Sequence, residues 1–329
     1  MKKTKRQTVA IIGAGVAGIF CANLLKNSGF DPIIIEKSKS LGGRLATRKT
    51  DCGASFDHGV QFFTARSKNF KLQLENSLSA GSIGSWSPKL LDDETEKQRT
   101  RFVGVASMNE FVRPLCNNIQ INFSEEVRSV VRVENEWNIR TVSDTSGRLY
   151  QNVICTVPGP QVSSFLFSEE KLVREISDVE IAPCWTLLLA FDSPLKLNFD
   201  AWNSDIENIV WIARNSSKPK RDETKECWVV HASPKWSKSF LEIKNDQATQ
   251  LLLGELRSIF GSSFSNASYK ASHRWRYART IRPLMKTYLC SADKSLFIGG
   301  DWCLGARVEN AYESGFAIAQ AFIENQNES

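Results

Sequence analysis

The chain has 329 residues, 42% hydrophobic and 24% charged, and 42 Lys and Arg against 36 Asp and Glu leave a net charge of +6. This is the composition of a globular protein with a large core, and so small and scattered a surplus excludes a nucleic-acid-binding stripe while suiting an anionic small molecule. The eight cysteines (21, 52, 116, 155, 184, 227, 290 and 303) stand far apart with no CxxC, which excludes a zinc cluster and reads as single buried thiols in a reducing, cytoplasmic compartment, without disulfides or metal.

The chain begins MKKTKRQ and then runs from Val9 to Leu25 almost wholly through apolar and small residues. A secretory leader or a membrane anchor starts in this way. However, Gly13, Gly15 and Gly18 weaken a spanning helix, and the run passes into an amphipathic tail, Lys26-Asn27-Ser28-Gly29. Neither leader nor span is therefore expected. The same residues suit a strand over 8–12, a helix over 16–27 closed by Gly29, and a second buried strand in PIIIE (32–36).

Residues 41–63 read as a glycine-studded loop with short strands, and 67–79 as a helix. The charged stretch LDDETEKQRTR (91–101) reads as a solvated loop or hairpin. From 125 to 154, EEVRSVVRV, EWNIRTV and LYQNVICTV predict a three-stranded antiparallel meander, which Pro158-Gly159-Pro160 ends. Helical stretches (KLVREISDV, QATQLLLGELRSIF) then alternate with strands (CWTLLLAF, ECWVVHAS, YKASHRWRY) up to residue 284. A last strand, SLFIGG, leads into a helix over about 306–323.

Gly13-Ala-Gly15-Val-Ala17-Gly18 fits G-x-G-x-x-G between a strand and a helix. Gly13 permits the tight turn, Gly15 a close approach to pyrophosphate, and Gly18 close packing of helix on strand. Glu36 ends the second strand, where a carboxylate can accept from ribose hydroxyls. NAD and FAD share this fingerprint. Two further features favour FAD. Leu41-Gly42-Gly43-Arg44 adds close backbone approach and a fixed cation. Near the other end, LFIGGDWCLGARVENAYESG offers Gly300 and Asp301 for ribityl hydroxyls, and a helix start near Arg307 and Val308 for the flavin N1/C2 oxygen. A plain NAD dehydrogenase lacks this late element.

With these motifs, and with GGRLATR (42–48), FDHGVQFFTAR (56–66), TVPGPQ (156–161), WIARNSSKPKRDET (211–224), WVVHASPKWS (228–237), HRWRYAR (273–279) and GDWCLGARVENA (300–311), the chain resembles the renalase family of FAD-dependent oxidoreductases, relatives of the flavin amine oxidases. The resemblance implies noncovalent FAD, with contacts at Ala17, Arg44, Gln61 and Phe62 besides the glycines, Glu36 and Asp301. It also implies an α/β fold of hydroxybenzoate-hydroxylase and amine-oxidase type. In that plan a Rossmann-type FAD-binding domain (1–65, 101–160 and 285–329) is interleaved with a smaller α+β substrate domain (66–100 and 161–284). The reaction implied is hydride removal from 2- or 6-dihydroNAD(P) to give NAD(P)+, with O2 reduced to H2O2.

The chain has three histidines. His58 precedes Gln61. As a strand, ECWVVHAS puts Cys227, Val229 and His231 on one face, and HRWRY puts His273, Trp275 and Tyr277 opposite Arg274 and Arg276. His231, His273, Trp275 and Tyr277 are the candidate substrate-pocket residues; an ordinary core face fits the same pattern. Arg214, Lys218, Arg221, Arg274 and Arg276 read as pyrophosphate ligands or as a solvated surface, and Trp236 as a pocket wall or a packing anchor. An amine oxidase is the rival reading, with Tyr277, Trp275 and Lys286 as its aromatic cage and lysine. A carotenoid desaturase and a non-catalytic FAD- or NAD-binding module are the others. Covalent flavin attachment would fall to Cys303 or Cys52.

Overall fold

The computed structural model describes residues 8–91, 100–204 and 206–328, so the basic tip and most of the charged stretch 91–101 lie outside the described residues. The chain divides into two units. One comprises Met1–Gly43, Val112–Ile181 and Thr280–Ser329, the other Arg44–Phe111 and Ala182–Arg279.

The first unit is built on a six-stranded sheet in the order Leu289–Cys290, Leu296–Ile298, Asn152–Cys155, Thr8–Ile12, Asp31–Ile35, Gln120–Asn122. From Leu296–Ile298 to Gln120–Asn122 the neighbours pair in parallel. Val9, Ala10 and Ile11 are fully buried, as a parallel strand covered on both faces requires. Helix Val16–Asn27 packs on helix Val308–Glu328 so closely that a Cβ on Gly315 would overlap the carbonyl oxygen of Ala17. Phe20 meets Tyr312 edge-on at 4.9 Å beside this contact.

The stretch 125–154 departs from the expected meander. Val127–Val133, Glu136–Thr141 and Arg148–Tyr150 do pair antiparallel. Asn152–Cys155 instead leaves at exposed Gln151 and joins the parallel sheet between Thr8–Ile12 and Leu296–Ile298. Burial gives the reason. Arg148–Tyr150 buries only Tyr150, whereas all four residues of NVIC are buried, which needs cover on both faces.

The second unit holds a five-stranded sheet in the order Ala201–Asn203, Ile209–Arg214, Glu226–Ala232, Glu180–Phe191, Tyr269–Arg282. Trp185, Leu187, Leu189, Ile212, Trp228 and Val230 form one face, packed by Ala248, Leu252 and Leu256 from helix Asn245–Phe260. The fourfold spacing of those helix residues is that of a single apolar stripe. Leu188, Ala190, Cys227 and Val229 form the opposite face, closed by Ala54 and Phe56. His231 follows Val229 on this second face, as alternation predicts.

The unit bounds differ from those read in the sequence at residues 44–65, 101–111, 161–181 and 280–284. Residues 44–65 fall in the second unit because Phe56 packs on its sheet. Residues 161–181 fall in the first because Val162, Leu166, Leu172 and Ile176 fill its core beside Trp137 and Val153.

Gly315→Ala is expected to push the two helices of the first unit apart and lower the melting temperature by ~5 °C or more, an overpacking effect. Thermal denaturation followed by circular dichroism measures it.

Candidate functional site: a dinucleotide cradle and a histidine cluster

In the first unit the cradle forms where parallel strands end. Gly13 follows Ile12 with φ +105°, a conformation that favours glycine. A Cβ on Gly18 would overlap Gly13 O and stand 2.6 Å from Thr156 Oγ1. Around Gly15, which caps the helix, there is open space. A helix N-terminus leaves its first amide hydrogens without intrahelical acceptors and favours an anion there. Gly43 faces this turn, since a Cβ on it would lie 3.4 Å from Gly15 Cα. Ala17 is buried in the first helical turn.

Glu36 is buried at the end of the next strand. Its Oε2 accepts from Ala14 N at 2.7 Å and its Oε1 from Ser38 N at 2.7 Å. Each oxygen keeps a lone pair that can accept a ribose hydroxyl.

Thr156, at the end of Asn152–Cys155, ties this turn down by donating to Ile12 O at 3.0 Å and Gly13 O at 3.1 Å. The same loop holds the late element. Trp302 Nε1 donates to Val157 O at 3.0 Å, and Gly300, at φ +148°, follows the Leu296–Ile298 strand. Asp301 is buried and accepts from Thr280 Oγ1 at 3.2 Å. Arg307 and Val308 stand at the start of helix Val308–Glu328, as predicted.

In the second unit, Asp57 is a fully buried carboxylate shared by two buried cations. Its Oδ2 accepts from Lys218 Nζ at 3.1 Å and Arg221 Nη2 at 2.7 Å, and its Oδ1 from Thr47 Oγ1 at 2.6 Å. Lys218 also donates to Gln61 Oε1 at 3.2 Å and Asn215 Oδ1 at 3.1 Å. Gln61 Nε2 donates in turn to the carbonyls of Asp57 and Gly59, so loop 57–61 is held from inside. Burial alone would raise the Asp57 pKa, but Lys218 and Arg221 overcome it and hold the carboxyl below the usual range. Burial, aided by Arg221, pushes Lys218 down to about 8 against the pull of Asp57.

The histidines lie in this second unit. His58 meets His273 at 4.7 Å and Trp275 at 4.9 Å between ring centroids, and Trp275 Nε1 donates to His58 O at 2.9 Å. Burial pushes all three, His58, His231 and His273, down to about 4, so each is neutral at physiological pH. Phe62 lies 5.5 Å from the Trp211 ring, with the Arg101 guanidinium 5.4 Å from its centroid.

Two sequence-family models match the chain: NAD(P)-binding Rossmann-like domain over residues 11–74 and flavin containing amine oxidoreductase over residues 68–323. The chain belongs to the flavin containing amine oxidoreductase family. It is similar to renalase from Mus musculus, 20% identical over 82% of this chain and 84% of that protein, in line with the resemblance drawn from its motifs. It is also similar to 15-cis-phytoene desaturase from Synechococcus elongatus, 31% identical over 36% of this chain and only 26% of the desaturase's length. Among solved structures it shares the fold of putrescine oxidase, with a TM-score of 0.70 at 11% identity over 97% of this chain and 99% of that one.

Membership in this flavin family makes FAD the dinucleotide of the cradle, and the residues present fit it. The turn between Gly13 and Gly18 admits no side chain at Gly18, the space around Gly15 is open, and Glu36 and Asp301 are buried acceptors at two strand ends. Of the residues singled out in the sequence, Gly13, Gly15, Ala17, Gly18, Glu36, Gly43, Gly300, Asp301, Arg307 and Val308 belong to the first unit. Arg44, Gln61, Phe62, His231, His273, Trp275 and Tyr277 belong to the second. Arg44 Nη1 donates to Ala278 O at 3.2 Å.

The five cations read as pyrophosphate ligands or a solvated surface each pair with a carboxylate of their own unit: Lys218 and Arg221 with Asp57, Arg214 with Asp200, Arg274 and Arg276 with Glu242. Trp236 is a packing anchor, buried against Phe240. Sequence reasoning gave no role to Thr156, Asp57 or Asn215. The one available signal was position: Thr156 directly follows the apolar stretch VIC.

Glu36→Ala is expected to weaken FAD binding ~10–100-fold, the loss of a charged acceptor, read as the flavin-to-protein ratio after purification and as Kd on reconstitution. Asp57→Asn, which leaves two buried cations without a counter-charge, is expected to cost ~3–5 kcal/mol in urea denaturation. Lys218→Met leaves the Arg221 pair intact and is expected to stay within ~1 kcal/mol of the parent at pH 7. Between about pH 8 and 10.5 the unfolded chain holds more protons at Lys218 than the folded one, so stability rises with pH across that window. In Lys218→Met that rise disappears.

Proposed function

We propose that the protein is an FAD-dependent oxidase that takes hydride from dihydropyridine nucleotides reduced at the 2 or 6 position and releases NAD(P)+. The C–H bond at the reduced ring carbon breaks and its electron pair leaves with the hydrogen as hydride. The ring becomes an aromatic cation, and O2 takes the hydride equivalent with one proton to give H2O2. No proton need be abstracted from such a substrate, so the protein's part is to bind and orient. The observation that carries this reading is the cluster of His58, His231 and His273. All three are held neutral with pKa values near 4, His58 and His273 against Trp275, on a unit whose buried carboxylate, Asp57, is locked by two cations.

In this reading Arg44, Gln61 and Phe62 contact the flavin, and His231, His273, Trp275 and Tyr277 contact the substrate. The flavin is held noncovalently; burial pushes the Cys303 thiol up to about 12, which leaves it a poor nucleophile. All eight cysteines are free, which suits a reducing compartment, and no described helix is long and apolar enough to cross a membrane. We place the protein in the cytoplasm on the thiols.

Amine oxidation is the second reading, favoured by the family itself and by the fold shared with putrescine oxidase. Against it, Lys286 lies on the surface and pairs with Glu175 at 2.6 Å, and Trp275 makes its ring contacts with His58 and His273. The deciding experiment is anaerobic mixing in a stopped-flow spectrophotometer. The 2- or 6-dihydro isomers should bleach the flavin absorbance within seconds while simple amines and diamines leave it unchanged. Bleaching by amines alone reverses the two readings.

A further inference from the structure

A charged side chain drawn part-way out of water normally has a counter-charge. The five cations of the two basic motifs each have theirs. Arg48 is half-buried too, yet among the described residues it has neither a carboxylate nor any other hydrogen-bond acceptor.

Its place follows from the hairpin of Thr47–Lys49 and Ser55–Asp57. Thr47 pairs with Asp57 and donates to it at 2.6 Å on one face; Arg48 pairs with Phe56 and projects from the other. The hairpin's own carboxylate therefore points away from Arg48, and Lys218 and Arg221 already hold it. On the Arg48 face Phe56 stacks on Tyr269 at 5.7 Å, and His58, two residues on, meets His273 at 4.7 Å. Tyr269, His273 and Trp275 alternate along one side of strand Tyr269–Arg282, which contains no acidic residue. Arg48 stands diagonal to His58, and diagonal neighbours across an antiparallel pair lie about 7–8 Å apart, within reach of a long side chain. Its charge accordingly lowers the proton affinity of both His58 and His273.

This patch selects a ligand by charge. Neutral imidazoles offer the guanidinium no counter-charge, and an ammonium group is repelled by it. A phosphate or carboxylate accepts two parallel N–H bonds from the guanidinium fork. His273, half-buried and without a hydrogen-bond partner among the described residues, has one further N–H to give the same anion. In the dihydropyridine nucleotides of the reading above the anionic groups are phosphates, carried on the ribose attached to the ring.

We propose that Arg48 binds a phosphate group of the substrate, beside the ring surfaces of His273 and Trp275. The inference rests on the dihydropyridine reading and adds an anionic substrate class to it. It makes Arg48, which the sequence alone did not single out, a specificity-determining residue.

The test compares the 2- and 6-dihydro isomers of nicotinamide riboside, which has no phosphate, with those of nicotinamide mononucleotide, NAD and NADP. Apparent Kd values and limiting rates come from the concentration dependence of anaerobic flavin reduction. Arg48→Met should raise Kd for the phosphorylated substrates by ~10–100-fold, the loss of a charged hydrogen-bonded pair, and leave the riboside within ~2-fold. Limiting rates should stay within ~2-fold, because the phosphate is held alike before and during hydride transfer. Arg48→Lys, which keeps the charge without the fork, should fall between parent and Arg48→Met. A rise that begins with the mononucleotide assigns the 5′-phosphate, one confined to NAD and NADP the second phosphate of the bridge, and one confined to NADP the 2′-phosphate.

Kd values that rise for the riboside as much as for the nucleotides, or for none of them, overturn the subsite while the dihydropyridine reading stands; a guanidinium that is merely solvated predicts no rise. Weaker FAD binding on reconstitution with unchanged substrate Kd gives Arg48 to the cofactor and overturns the subsite likewise. Failure of every isomer, the riboside included, to reduce the flavin of the parent protein overturns the dihydropyridine reading itself, and the subsite with it. If Arg48→Met does not fold, Arg48→Gln carries the same comparison.

Discussion

The first unit depends on how closely its opening helix approaches the turn that precedes it. At Gly18 the helix backbone sits so near Gly13 O that no side chain fits, and Thr156 fills the adjoining space while holding the turn by two hydrogen bonds. That contact sets where the helix amides point, and so where an anion can rest. It also fixes the spacing between the Thr8–Ile12 and Asn152–Cys155 strands at their carboxyl ends, from which Gly13 and the Thr156 loop, with the Gly300 turn beyond, project. Open parallel sheets bind ligands at these ends, and here the consequence is a cradle assembled from three separate stretches of chain.

The second unit solves a different problem. It buries two cations on one carboxylate, an arrangement that costs desolvation free energy and returns it only through full hydrogen bonding. Asp57 accepts from Thr47, Lys218 and Arg221, and Lys218 is satisfied by Gln61 and Asn215. The outcome is a rigid loop carrying His58, against which Trp275 and His273 pack. Rigidity of this kind matches a site whose task is to orient a ring.

The sequence was most legible where local chemistry determines structure. GAGVAG announces its turn because Gly13 takes a left-handed backbone conformation and Gly18 leaves no room for a side chain. PIIIE announces a buried strand because so short an unbroken apolar run, bounded by turn signals, suits a strand covered on both faces. Alternation in ECWVVHAS and HRWRY correctly sorted the faces: Arg274 and Arg276 reach Glu242, and His273 and Trp275 reach His58. What stayed hidden was pairing at a distance. LYQNVICTV reads as one strand, and only the packing around it shows that it serves two sheets. Lys218 and Arg221 sit in a polar, turn-rich segment that reads as solvated surface, because the carboxylate that draws them inside lies 161 residues from Lys218. Trp211 and His231 share a face only by virtue of the register between two strands that no local pattern states.

The interleaving of the units also bears on biosynthesis. Until Leu296–Ile298 leaves the ribosome, the Asn152–Cys155 strand has no neighbour on one side, and its apolar residues and backbone edge stay open to other chains. Translation of the intervening stretch takes on the order of ten seconds. Over that interval the nascent first unit is a natural client for a chaperone, and its cradle stays incomplete, because the Gly300 turn is among the last parts of the cradle to be made.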